Sequence, residues 1–225
     1  MATLLAFDVY GTLIDTHGVI AELEDLLGEA RAAEFSRRWR DKQLEYSFRR
    51  SLMGAYAEFS VCTEEALEYT DRALGTQLSQ TAKEHLMAAY GRLPAFAEVS
   101  EALARLSQRG VTCVAFSNGT REAVEELLRQ AGIDQHFSDI VSVDEVKRFK
   151  PDPAVYSHLR TRLEASAADT WLISSNPFDV IGAGHAGLHA VWVRRSSDAP
   201  FDPWGGEPDL TVSDLLSLAE RFSVR

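Results

Sequence analysis

Four short polar stretches hold the residue types that chemistry needs. Asp8-Val9-Tyr10-Gly11-Thr12 follows the apolar run Leu4-Leu5-Ala6-Phe7, and Ser117-Asn118-Gly119-Thr120 follows Thr112–Phe116. Lys150-Pro151-Asp152-Pro153 precedes a segment containing Tyr156, and Ser174-Ser175-Asn176-Pro177-Phe178-Asp179 follows Thr170–Ile173. Apolar runs of this length read as buried strands, and α/β sheets assemble ligand sites in the loops at the carboxyl ends of parallel strands. A carboxylate in that place, Asp8, is positioned as a nucleophile or a metal ligand, although a lone Asp at a strand end also suits an Asx turn. If the Asp179 loop adjoins it, two like charges about 4 Å apart repel by roughly 4 kcal/mol at an effective dielectric near 20. A cation must then lie between them, or one must be protonated. Lys150 is the available cation, because Pro151 and Pro153 stiffen its loop. Lys147, followed by Arg148-Phe149, lacks that stiffening. The Ser117 hydroxyl and the backbone N–H groups at a helix start can hold an anion. The plainer reading is that Ser117 and Asn118 cap the helix, and that Asp179 is a helix-start carboxylate.

The elements that must position these groups alternate. Strands are expected at Thr3–Asp8, Thr112–Ser117, Ile140–Val143, Thr170–Ser175 and Ala190–Arg194, with helical periodicity between them at Ala123–Ala131 and Ala154–Leu163. Gly110 and Gly132 stand where helices end. This pattern predicts an α/β fold built on a doubly wound parallel sheet. Residues 15–94 break the alternation: Val19–Leu27 has a helical apolar face, and Thr81-Ala82-Lys83-Glu84 has the capping-box spacing. The predicted division is an α/β core domain of residues 1–14 and 95–225 with an inserted helical cap domain of residues 15–94. Arg195–Pro208 reads as an irregular loop before a last strand, Leu210–Val212, and a helix.

The composition of the 225 residues, with 45% hydrophobic and 25% charged side chains, is that of a globular chain able to bury a core. A formal net charge of −11 argues against a nucleic-acid or anionic-membrane partner. An anionic small-molecule substrate then needs a local group of cations. Cys62 and Cys113 form no CxxC pair and read as reduced structural thiols. No signal-peptide pattern and no membrane-length apolar stretch is present, so the expected compartment is the cytoplasm. The six histidines (His17, His85, His136, His158, His185, His189) lack metal-ligand spacing, and a loop is expected between His185 and His189.

The order Asp8-x-x-x-Thr12, Ser117-Asn118, Lys150-Pro151-Asp152 and Ser174-Ser175-Asn176 with Asp179 resembles the four motifs of the haloacid dehalogenase superfamily. Its phosphatases carry a second Asp where this chain has Tyr10, and a phenol titrating near ~10 is a poor proton donor at neutral pH. Tyr at that position resembles the L-2-haloacid dehalogenases (type II). Trp39-Arg40-Asp41-Lys42-Gln43-Leu44-Glu45-Tyr46 is similar to their cap motif Trp-Arg-x-Lys-Gln-Leu-Glu-Tyr, with Trp39 and Tyr46 read as packing.

The resemblance implies a Rossmann-like core with a helical cap, no cofactor and no metal. It implies conversion of an (S)-2-haloacid and water to an (R)-2-hydroxy acid and halide through an ester on Asp8. Asp8 is the implied nucleophile, Thr12 orients it, and Lys150 is its counter-charge. Asp179 activates water positioned by Ser174 and Asn176, while Tyr156 steadies Lys150 or the carboxylates. Ser117 faces the substrate carboxylate, Arg40 and Asn118 face the departing halide, and Tyr10, Leu44, Phe59 and Phe178 form an apolar wall. Family members often dimerise through the cap. The chain departs from the pattern at Phe178, where Trp is usual, at the adjacent Pro177, and at Asp41, which weakens an anion site if it turns inward. Competing readings are a magnesium-dependent phosphatase, which Tyr10 disfavours, ring opening of a strained cyclic amino acid, and an inactive scaffold.

Overall fold

The computed structural model describes residues 4–222, so Thr3, the expected first residue of the opening strand, lies outside them. The chain runs β1 (Leu4–Asp8), α1 (Ile20–Leu27), α2 (Glu29–Met53), α3 (Phe59–Leu74), α4 (Gln80–Tyr90), α5 (Val99–Gln108) and β2 (Thr112–Ser117). It continues through α6 (Arg121–Gln130), β3 (Asp139–Ser142), α7 (Pro153–Arg162), β4 (Thr170–Ser174), α8 (Pro177–His185), β5 (His189–Val193), β6 (Leu210–Val212) and α9 (Leu215–Arg221). The strands form one six-stranded sheet in the order β3-β2-β1-β4-β5-β6, and every pairing is parallel.

β1 is buried along its whole length, as a strand covered on both faces must be. Its side chains alternate: Leu5 and Phe7 enter one hydrophobic layer, Leu4 and Ala6 the other. The chain moves outward from β1 through β2 to β3 and then returns to β4 on the other side of β1. That reversal opens a crevice at the carboxyl end of β1, where the Asp8, β2 and β4 loops meet.

Element ends differ from the expectations in instructive ways. Thr81 does not cap a helix. Ser79, in extended conformation, accepts from Ala82 N at 3.2 Å, which places Thr81 inside α4. Glu84 instead accepts from the Gln80 side chain. Val19 ends a 3₁₀ turn, Thr16–Val19, rather than opening α1. Val143 leaves β3 to begin another 3₁₀ turn, Ser175 falls just past β4, and β5 starts at His189. That strand start separates His189 from His185, the last residue of α8. Gly110 and Gly132 follow α5 and α6 at φ of 71° and 69°. After α6, Gly132 N reaches Arg129 O and Ile133 N reaches Leu128 O, which satisfies the last carbonyls of that helix.

Helices α1–α4 form a helical cap inserted between β1 and α5. The chain enters and leaves it side by side: Ile14 and Ala95 make an antiparallel bridge, Asp15 N donates to Pro94 O at 2.8 Å, and Phe96 N donates to Leu13 O at 3.0 Å. Arg195 braces this crossing. Its guanidinium donates to the Thr12 carbonyl, pairs with Glu98 and lies 3.9 Å from the Phe96 ring centroid. Among the described residues no helix is long and apolar enough to cross a membrane.

Candidate active site

Parallel pairing places Asp8 opposite Phe116 of β2 and, one residue beyond the Phe7–Ile173 pair, abreast of Ser174 of β4. The chain then turns tightly, with Val9 O accepting from the backbones of residues 12, 13 and 14 and Gly11 at φ +88°, a left-handed conformation that favours glycine. The turn folds Thr12 back over Asp8. Thr12 Oγ1 accepts from Ser175 N at 2.8 Å and donates to Asp8 Oδ2 at 2.8 Å. Ser174 Oγ at 3.3 Å and Asn176 Nδ2 at 2.7 Å also donate to Oδ2. Ser174 and Asn176, expected to position water, therefore spend these donors on the Asp8 carboxylate itself.

Asp8 Oδ1 receives the Lys150 ammonium at 3.1 Å. The same nitrogen donates to Asp179 Oδ2 at 2.9 Å and to Phe116 O at 2.8 Å, which uses all three of its protons. It also lies 4.1 Å from the Phe116 ring centroid. Lys150 is 1% exposed and Asp179 0%, so the charges interact with little solvent screening. Asn118 Oδ1 accepts from Lys150 N at 3.0 Å and fixes the backbone from which the lysine projects. Lys147, the competing cation, pairs instead with Asp144 at the surface.

Tyr156, wholly buried on α7, donates to Asp179 Oδ1 at 2.8 Å. Burial raises the Asp179 carboxyl above the ordinary carboxylate range, partly offset by Lys150 and reinforced by the Asp8 charge. Burial, then the Asp179 charge, pushes the Tyr156 phenol well above its usual value. The Lys150 ammonium fills the space between Asp8 and Asp179 that a cation bridging the two carboxylates would take, and among the described residues no three His, Cys, Asp or Glu side chains group to hold a metal ion.

Ser117 and Asn118 do not cap α6. Thr120 does so, accepting from Ala123 N, because it is the residue that turns extended immediately before the helix. Ser117 is fully buried and accepts from Gly119 N at 3.1 Å.

The cap reaches this cluster through α2. Half-buried Arg40 donates to Tyr10 O at 3.2 Å, and Asn176 Nδ2 donates to the same carbonyl at 3.2 Å. The Tyr10 ring packs on Phe59 and Tyr90, with centroids 5.5 and 6.1 Å away. Burial pushes its phenol far above the usual value, so it stays protonated. Tyr10 and Phe59 join Thr63, Met87 and Tyr90 around a cavity of about 120 Å³. Phe178 packs elsewhere, edge-on against Phe48 at 5.0 Å. Leu44 lies between Arg40 and Phe48 on one face of α2, at i, i+4 spacing. Asp41 is exposed and does not turn inward. Sequence reasoning gave no role to Gln43, Thr63, Tyr90 or Phe48. Two signals were available for Gln43: its place in the Trp39–Tyr46 cap motif, and the intrusion of a polar residue into that apolar stripe.

A family model described as haloacid dehalogenase-like hydrolase matches residues 2–187. The chain belongs to that family. Within it, an (S)-2-haloacid dehalogenase from Pseudomonas sp. (strain YL) is 37% identical over 97% of this chain and 93% of its own length. An (S)-2-haloacid dehalogenase 2 from Pseudomonas sp. (strain CBS-3) is 38% identical over 95% and 93%. The structure of L-2-haloacid dehalogenase from Xanthobacter autotrophicus with chloropropionic acid covalently bound superposes with a TM-score of 0.90, at 31% identity and 98% coverage of both chains. The family's parallel sheet and helical cap are the architecture described above.

Proposed function

We propose that this chain hydrolyses short 2-haloalkanoic acids, turning an (S)-2-haloacid and water into an (R)-2-hydroxy acid and halide. One observation carries the reading: the Lys150 ammonium bridges Asp8 and Asp179, so two carboxylates converge around a cation supplied by the chain. The names of the relatives support the substrate class, and the covalently bound chloropropionic acid of the Xanthobacter protein supports an ester route.

The geometry suits a division of labour between the two Asp8 oxygens. Oδ2 is held by Thr12, Ser174 and Asn176, whereas Oδ1 meets Lys150 alone. Oδ1 attacks the substrate Cα opposite the carbon–halogen bond, which breaks with its electron pair on the halide, and the carbon inverts. Arg40 and Asn118 face the departing halide, and Ser117 with nearby backbone N–H groups takes the substrate carboxylate. Tyr10 and Phe59 on one side, and Leu44 and Phe178 on the Phe48 side of α2, exclude water from the alkyl part. Water then adds to the Asp8 carbonyl carbon and gives a proton to Asp179, whose raised pKa suits a base. The three donors on Oδ2 stabilise the oxyanion formed there. The bond from that carbon to the hydroxy acid oxygen breaks, and the oxygen takes a proton as the acid leaves.

We further infer that residues 15–94 act as the cap over residues 1–14 and 95–225, as the Ile14–Ala95 meeting suggests. Leu52 and Met53, exposed at the end of α2, suit pairing of two copies through the cap, which sedimentation tests. The free buried thiols Cys62 and Cys113 suit a reducing compartment such as the cytoplasm.

The test is chloride release from (S)-2-chloropropionate in EDTA, followed by mass spectrometry after single turnover in H₂¹⁸O. Chloride with label on Asp8 is the expected result. Magnesium-dependent phosphate-ester hydrolysis without halide release, or no label on Asp8 during turnover, overturns the reading.

A further inference from the structure

Most partly buried cations of the described residues pair with a carboxylate, although half-buried Arg160 and Arg194 do not, Arg194 donating to the Ala199 and Ser197 carbonyls. Lys83 pairs with Asp71 and Glu68, Arg50 with Glu65, Arg195 with Glu98, and Lys150 with two aspartates. Among the described residues Arg40 has no carboxylate partner. Its two hydrogen bonds go to neutral acceptors: the Tyr10 carbonyl at 3.2 Å and Gln43 Oε1 at 2.7 Å.

Gln43 is fully buried, and its amide can face only one way. A guanidinium donates and never accepts, so Oε1 must meet Arg40. Oε1 also accepts from the Tyr90 hydroxyl at 3.0 Å. Nε2 then donates to Thr63 Oγ1 at 2.5 Å, and Thr63 passes its own proton to Phe59 O at 2.9 Å. Helix α2 supplies Arg40 and Gln43 to this network, α3 Phe59 and Thr63, and α4 Tyr90, and Trp39 seals it by donating to Thr63 O at 2.8 Å and packing 5.2 Å from the Tyr90 ring. A buried polar amide satisfied at both ends has a single orientation.

We propose that Gln43 is a positioning residue that aims the Arg40 guanidinium at the Tyr10 carbonyl, which Asn176 shares, while leaving its positive charge uncompensated for an anion. This deepens the dehalogenase reading and rests on it. A carboxylate at position 43 has the same reach to Arg40, but it cancels the charge and gives up the donation to Thr63. An amide aims without cancelling. Tyr90 and Thr63 keep the amide from rotating.

The experiment compares single-turnover rates on (S)-2-chloro- and (S)-2-bromopropionate for the wild type, Arg40→Leu, Gln43→Glu, Gln43→Leu, Tyr90→Phe and the double variant Arg40→Leu/Gln43→Leu. Chloride is the poorer leaving group, so loss of cationic assistance slows it more and widens the bromide-to-chloride ratio. A purely structural role leaves that ratio alone. Gln43→Glu, nearly isosteric, is expected to slow chloride release by about tenfold and widen the ratio, with Tyr90→Phe moving it less in the same direction. Gln43→Leu is expected to add nothing in the Arg40→Leu background. A wild-type ratio and rate in Gln43→Glu, or additive losses in the double variant, overturn the proposal. An unchanged ratio in Arg40→Leu overturns the halide-facing role of Arg40 and with it this proposal. Absence of halide from the wild type overturns the dehalogenase reading as well, so the failures are told apart.

Discussion

The core cluster and the cap cluster solve opposite electrostatic problems. Beneath the sheet's carboxyl edge, one Lys150 ammonium lies 3.1 Å from Asp8 and 2.9 Å from Asp179 and offsets one of their two charges, largely shielded from water. In the cap, Arg40 donates to an amide oxygen and a carbonyl, neither of which answers its charge. The first arrangement makes a rigid, fully committed nucleophile. The second keeps one charge available. The difference teaches that the core prepares the attacking atom, whereas the cap prepares for what leaves.

Removing the attacking oxygen tests the core side most severely. Asp8→Asn is expected to abolish turnover, by on the order of 10⁴-fold or more, as read by halide release in ion chromatography. Lys150→Met comes next, because it leaves two buried carboxylates facing each other. Loss of one partner of such a cluster costs about 3–5 kcal/mol, seen as a fall in Tm, and adding Asp179→Asn is expected to recover part of it. If Lys150→Met keeps the wild-type Tm, the contrast between a lysine-bridged core and an unanswered cap cation fails.

The pH profile sharpens the same contrast. Asp179 accepts a proton from water only when ionised, and its carboxyl is raised by burial. Ester hydrolysis is therefore expected to slow as pH falls through a value above the ordinary ~4 of an aspartate, and Asp179→Asn is expected to remove that limb. The stability sign runs the other way. A folded-state pKa above the unfolded one means that this group favours the folded state at low pH, and the contribution is lost as pH rises through the raised value. Pre-steady-state measurement of the deacylation step against pH, together with Tm against pH, checks both. Smallest of all is Lys147→Ala. That lysine is exposed and paired only at the surface, so stability is expected to move by no more than about 0.5 kcal/mol and chloride release not at all.

The two regions also differ in how far they could be read from residues alone. Asp8, Ser117 and Ser174 each end an apolar run, and strand-end loops of a parallel sheet converge by topology, so local signals placed them. Lys150 stood out through its flanking prolines. The cap offered no such shortcut. Gln43, Thr63 and Tyr90 lie on three helices and meet only through packing, which no local spacing encodes. Thr81 misled because a four-residue pattern ignores backbone torsion, and Ser79, two residues earlier, has the extended conformation that a cap requires. Ser174 and Asn176 were placed in the right loop, but their donors point to Asp8 because β1 and β4 are adjacent in register, which is a long-range fact.

The paired crossing at Leu13–Asp15 and Pro94–Phe96 carries its own consequence. An insertion whose two ends are hydrogen-bonded neighbours imposes no stretch on the sheet that receives it. Evolution or an engineer can exchange the whole helical leaf for another of different length and leave the attacking aspartate, its lysine and their strand register untouched.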